Sequence, residues 1–182
     1  MRSHSRRSII CLALLIAGSA AAQIARIPAT HGTSFGGTTV NLPGELRGKV
    51  GVLVVGFSKS SGDVCKVWGQ HLAASYENSH DVMYYQLPEL ESVPKLVRGM
   101  VLRSMKSSVP QSDQAHFMPI FSDEMAWKSV ARFGNPDDAY VMVVDGDGKV
   151  LWQTSGRFTA AGFNTLKEQV EALRKSVGPS SK

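Results

Sequence analysis

Apolar residues fall into blocks whose spacing changes along the chain, and each change marks an element. Val50 to Phe57 is a near-continuous apolar run, as expected of a central strand covered on both faces. Val64, Val67, Trp68, Leu72 and Tyr76 recur at helical intervals, so Val64 to Tyr76 reads as a helix. Val82 to Leu87 is a second strand ended by Pro88. Val93 to Met105 is again helical, with Val93, Leu96, Val97, Met100 and Leu102 on or near one side. A brief extended piece, Phe117 to Phe121, precedes a short helix from Glu124 to Phe133 with Ser122 or Asp123 at its N-cap. Tyr140 to Val144 and Val150 to Thr154 flank Asp145-Gly146-Asp147-Gly148, the clearest hairpin pattern, because Asp and Gly supply backbone with positive φ. Thr159 caps a last helix through Leu173, with Phe163, Leu166, Val170 and Leu173 inward, and Gly178-Pro179 stops it. Parallel strands need a right-handed crossover and the hairpin must be antiparallel. The expected class is α/β, a mixed sheet with helices on both faces.

The N-terminus changes the charge picture. Arg2, Arg6 and Arg7 precede an apolar run from Ile9 to Ala17, and small residues lead to an Ala20-x-Ala22 exit before Gln23. This is the pattern of a secretory signal peptide over residues 1–22, and the run is short for a membrane span. An uncleaved anchor is the alternative. Bulky Ile10 before Cys11 argues against a lipoprotein. The three arginines account for part of the +5 formal charge, leaving +2 on the processed chain, so a nucleic-acid role has no electrostatic support. Export implies a periplasmic or secreted location, oxidising for thiols. Gln23 to Thr39, rich in Gly and Thr, reads as an exposed flexible leader. Residues 40–178 are then one domain, large enough for a real core, and 179–182 a tail.

Processing leaves one cysteine, Cys65, placed after the Val50–Phe57 strand and a polar loop, where the helix is expected to begin. A thiol at a helix N-terminus can favour the thiolate. Strand, loop, thiol and helix, with Leu42-x-x-x-Leu46-x-Gly48-Lys49-Val50 before them and the hairpin after, resemble thioredoxin-like proteins over most of the processed chain. The first cysteine of a C-x-x-C is replaced by Gly62, and that of a C-x-x-x-C by Ser61. Ser61-Gly62-Asp63-Val64-Cys65 keeps three residues of the Cys-Pro-Asp-Val-Cys motif of copper chaperones on this fold, but two-thiolate copper binding needs the missing cysteine. The cis-proline that faces the thiol in such proteins would fall at Ala139 or Tyr140. More narrowly, Tyr140-Val-Met-Val-Val-Asp145-x-x-Gly148-Lys149-Val150-Leu151-Trp152-x-x-Ser155-Gly156 is similar to the C-terminal signature of the mitochondrial ATP synthase assembly factor family, with Asp145, Gly148, Trp152 and Gly156 as its marks. The likeness extends back through Val101 to Gln114. Leu151 stands where that family usually has arginine.

The resemblance implies a role in assembling a membrane complex, and the missing second cysteine and cis-proline point to a non-catalytic role in binding or chaperoning. The competing reading is a single-cysteine oxidoreductase or peroxidase acting through Cys65, with Ser61 and Lys66 as neighbours and Asp63 opposing thiolate. Lys95, Arg98, Arg103 and Lys106 form a run free of acids, suited to a protein partner or an anionic membrane surface. The alternative is a helix docked on the sheet with its charges in water. Asp145 and Asp147 lack the further carboxylates of a calcium loop, and the histidines lack ligand spacing; His71 follows Cys65 on another helical face. No metal and no cofactor is expected.

Overall fold

The computed structural model describes residues 25–177. The signal segment, the Gly178-Pro179 stop and the tail lie outside the described residues. The chain builds β1 (Thr30–Thr33), β2 (Thr39–Leu42), β3 (Val50–Gly56), α1 (Ser61–Tyr76), β4 (Val82–Pro88), α2 (Lys95–Ser108), α3 (Glu124–Ala131), β5 (Ala139–Val144), β6 (Val150–Ser155) and α4 (Ala160–Val177). Short 3-10 turns occupy Gly44–Leu46 and Gln111–His116. The main sheet runs β4-β3-β5-β6, with β4 parallel to β3 and β5 antiparallel to both β3 and β6.

Alternation along β3 sorts the core into two halves. Val50, Val52 and Val54 face α1 and α4, where Trp68, Leu72, Phe163, Leu166 and Val170 are buried. Leu53 and Val55 face the other side, against Trp127 of α3 and the buried Met118 and Ile120. Burial on both faces is why β3 and β5 are apolar without interruption. Gly51 is required by close approach, since a Cβ there would lie 2.7 Å from Leu46 Cδ1.

Three expectations need correction. The leader is not wholly exposed: β1 pairs antiparallel with β2, Ile27 and Phe35 are buried, and Phe35 stacks on Phe117 at 4.9 Å. Thr-rich segments lack a hydrophobic period yet suit a ladder, where β-branched residues pack well. The first helix starts at Ser61, ahead of its apolar stripe. Ser61 N–H donates to Ser58 Oγ at 3.0 Å and Ser58 N–H to Ser61 Oγ at 3.2 Å, a reciprocal pair that satisfies donors at the helix start. Cys65 therefore lies in the second turn. The N-cap of α3 falls at Asp123, one of the two residues expected, but in the left-handed region (φ 64) and with no side-chain cap bond; Glu91 Oε2 accepts the Glu124 N–H at 2.8 Å. Lastly, α2 does not dock its stripe on the sheet. None of its residues is buried, and Leu96 is 96% exposed.

Candidate functional site

The loop after β3, the first turns of α1, the end of β4 and one side of α2 enclose a cleft of about 710 Å³. Its α2 wall carries Val101 and Met105, and Leu90 and Phe117 extend the apolar lining. Ser61, Cys65 and Glu89 are the chemically distinctive groups beneath it.

Cys65 is 8% exposed and packs against the end of β3, where a Cβ on Gly56 would sit 2.9 Å from its Sγ and 2.8 Å from Ser61 Oγ. Glycine at 56 is what lets the thiol and the hydroxyl settle onto the strand. Burial pushes the Cys65 thiol up to about 12, and the hydrogen bond with Ser61 opposes this only in part. The thiolate expected from a helix N-terminus is thus suppressed, because the thiol lies inside the second turn and out of water. Lys66 is exposed and borders the cleft. Opposite, β3 pairs Gly56 with Ala139, the residue that stands at the facing position of β5; among the described residues the cis peptide bond is Leu42–Pro43.

Glu89, just beyond β4, is a group the sequence reading passed over. It is 5% exposed, and burial raises its carboxyl to about 7, with the Glu91 N–H opposing and the charges of Glu124 and Glu91 reinforcing the rise. Its Oε1 accepts the Glu91 N–H at 2.6 Å, while Oε2 has no hydrogen-bond partner. The signal available in sequence was an acid directly after the strand-ending Pro88, set between Leu87-Pro88 and Leu90.

The basic residues of α2 do not share one environment. Lys95, Arg103 and Lys106 are exposed, whereas Arg98 turns back, donating from Nε to the Val93 carbonyl and from an Nη to the Glu91 carbonyl, both at 2.7 Å. Its guanidinium lies 5.1 Å from the Phe121 ring centre. The hairpin marks serve structure. Asp145 Oδ1 accepts the Asp147 and Lys149 N–H groups at 3.0 and 2.9 Å, and Gly148 takes φ 76. Trp152 packs beside the α1–α4 core, and the Gly156 carbonyl accepts Trp68 Nε1–H at 3.1 Å, tying β6 to α1. His71 is exposed and stacks on Phe158 at 3.9 Å, outside the cleft lining.

Residues 21–173 match the model of the family described as ATP10 protein. Among solved structures, the fold is similar to BsSco, of the Sco family of cytochrome c oxidase assembly proteins, at 15% identity and TM-score 0.56, covering 82% of this chain and 94% of that one. It is also similar to StoA from Bacillus subtilis, at 13% identity and TM-score 0.54 over 79% and 98% of the two chains. An exposed lipoprotein thioredoxin from Streptococcus pneumoniae follows at 13% identity and TM-score 0.53 over 78% and 99%. These likenesses establish the thioredoxin-like fold. No curated protein sequence matches the chain significantly.

Proposed function

The chain belongs to the ATP10 protein family, and from that membership we propose that it is an exported, non-catalytic assembly factor that grips a subunit of a membrane complex. The cleft takes an apolar segment of that subunit. The outward side of α2, with Leu96, Met100, Lys95, Arg103 and Lys106, adds contacts to the subunit or to anionic lipid beside it. Export rests on the charged, apolar and small-residue succession of residues 1–22. No helix among the described residues is long and apolar enough to cross a membrane.

The observation that carries this reading is Cys65 itself. It is the cysteine of the described residues, buried, with a thiol pushed up to about 12 and Gly62 where a partner thiol would stand. Turnover by disulfide exchange needs a thiolate attacker and a resolving partner. The cleft wall formed by Val101 and Met105 offers a binding surface independent of the thiol.

The experiment is complementation in the native host, with assembled ATP synthase and other membrane complexes followed on native gels. Cys65→Ser is expected to restore assembly fully. Val101→Asp with Met105→Asp is expected to abolish it while circular dichroism stays native. Loss of assembly in a folded Cys65→Ser protein would instead establish the single-thiol oxidoreductase. Sequencing the processed N-terminus tests export: it should begin at or near Gln23.

A further inference from the structure

Three acidic residues converge beside the cleft from two separate parts of the chain, and one of them, Glu89, lines it. Glu89 and Glu91 follow β4, and Glu124 opens α3; one carboxylate oxygen of each lies within 4.8 Å of the others. Such a gathering of like charge is unfavourable unless something neutralises it. Lys128 pairs with Glu124 and meets part of this charge, and Arg98 is spent on the Val93 and Glu91 carbonyls, so among the described residues no cation pairs with Glu89 or Glu91. The decisive detail is Glu89. It is 5% exposed, its carboxylate is turned into this cluster, and Oε2 receives no hydrogen bond. A buried carboxyl oxygen that nothing meets is unfavourable, and a ligand that meets it removes that penalty.

We propose that Glu89, Glu91 and Glu124 form a calcium site that ties the end of β4 to the start of α3. The donor set decides the class of ion. Oxygen ligands alone, with Cys65 outside the cluster, suit a hard divalent cation and not copper(I) or zinc. Ca²⁺ accepts several carboxylates at once in an irregular, flexible shell, as residues from two separate parts of the chain would offer, whereas Mg²⁺ demands near-ideal octahedral geometry and keeps most of its water. The ion takes Glu89 from below and Glu91 and Glu124 from the exposed side, with water completing its shell. Glu89 also lines the cleft, so an ion there fixes part of the cleft floor.

Isothermal titration calorimetry of the processed full-length protein with CaCl₂, in separate arms with MgCl₂ and ZnCl₂, tests the site. One Ca²⁺ is expected to bind with Kd on the order of 10⁻⁴ M. Glu89→Gln and Glu124→Gln should each weaken it at least tenfold, while Cys65→Ser and the hairpin variant Asp145→Asn leave it unchanged. Thermal melts should show a midpoint that climbs with Ca²⁺ in wild type and stays flat in both glutamine variants. If Glu89→Gln fails to fold, the partly exposed Glu124→Gln decides alone. The proposal is overturned by no binding at 10 mM Ca²⁺, by binding that Glu124→Gln leaves intact, or by tighter binding of Mg²⁺ or Zn²⁺.

Discussion

The two helices that wall the cleft are built in opposite ways. α1 buries Trp68, Leu72 and Tyr76 against the sheet and receives a hydrogen bond network at its start from Ser58 and Ser61. α2, nearly as long, buries none of its residues. It is held at its base, by Arg98 reaching back to the Val93 and Glu91 carbonyls, and along one side by half-buried Val97, Val101 and Met105. Both helices have apolar periodicity, so periodicity alone does not tell a docked helix from an undocked one. What differs is the partner surface. The sheet face beneath α1 is largely apolar, with Gln86 packed under Gly69, while α2 extends from a loop and faces a cleft.

The sharpest way to break this comparison is to remove a side chain from each wall. Leu72→Ala empties a fully buried site and is expected to cost about 2–5 kcal/mol in urea unfolding. Leu96→Ala, at a 96% exposed site, should stay within about 0.5 kcal/mol. Native-state hydrogen exchange should agree: α1 amides exchange only with global unfolding, α2 amides through local opening at much lower free energy. Equal protection in both helices would mean that α2 is clamped by contacts other than those seen.

A second prediction sharpens the picture of the α1 wall as closed. With its thiol near 12, Cys65 carries about a thousandfold less thiolate at pH 8 than an ordinary cysteine, so iodoacetamide should modify it about that much more slowly. The linkage sign follows. The folded thiol holds its proton more tightly than the unfolded one, ordinarily 9.0, so its contribution is fully present below pH 9 and is lost as pH rises toward 12. Unfolding of wild type and Cys65→Ala across that range should show the wild-type protein losing ground steadily. A difference that does not vary with pH would contradict the burial of the thiol.

Much of this fold was legible from periodicity, and the misses share one cause. β3, β4, the β5–β6 hairpin and α4 were readable because their partners are the sheet itself, and burial on a sheet imposes spacing. β1, the start of α1 and the carboxylate that meets the first N–H of α3 were not, because each is fixed by polar contacts that leave no hydrophobic period. Ser58 with Ser61, and Glu91 with the Glu124 N–H, are examples. The site divides in the same way. Cys65 was visible as the lone thiol after an apolar strand, but its burial depends on Gly56 making room, which no local pattern announces. Glu89 matters through what it fails to meet, and only the folded chain reveals that.

The charges of α2 give a third, smaller test. Lys95→Gln with Arg103→Gln and Lys106→Gln should leave stability within a few tenths of a kcal/mol, since exposed charges contribute little. Binding to anionic vesicles or to the partner subunit is expected to fall about tenfold and to lose its dependence on salt. Arg98→Gln should do the reverse, lowering stability by about 1 kcal/mol through its two carbonyl contacts and changing salt dependence little. If Arg98→Gln weakens binding as much as the triple variant, the four cations act as one surface and Arg98 must turn outward on binding.

The smallest expected effect lies on the far side of the sheet and calibrates the others. Arg174 of α4 pairs with Asp81, just before β4, at 2.6 Å, and holds the Asp81 carboxyl below its ordinary value. A depressed carboxylate stabilises the fold above the unfolded pKa of about 3.9 and loses that contribution as pH falls through the folded value. Both side chains are more than a third exposed, so solvent screens most of the pairing. Asp81→Asn should therefore cost only a few tenths of a kcal/mol at neutral pH and nothing in 1 M salt, as measured by thermal unfolding. If this exposed pair instead proved worth as much as a buried leucine, surface charge would be a structural force in this chain. The neutral outcome expected for Lys95, Arg103 and Lys106 would then have to be abandoned, and with it the separation of α2's binding role from its folding.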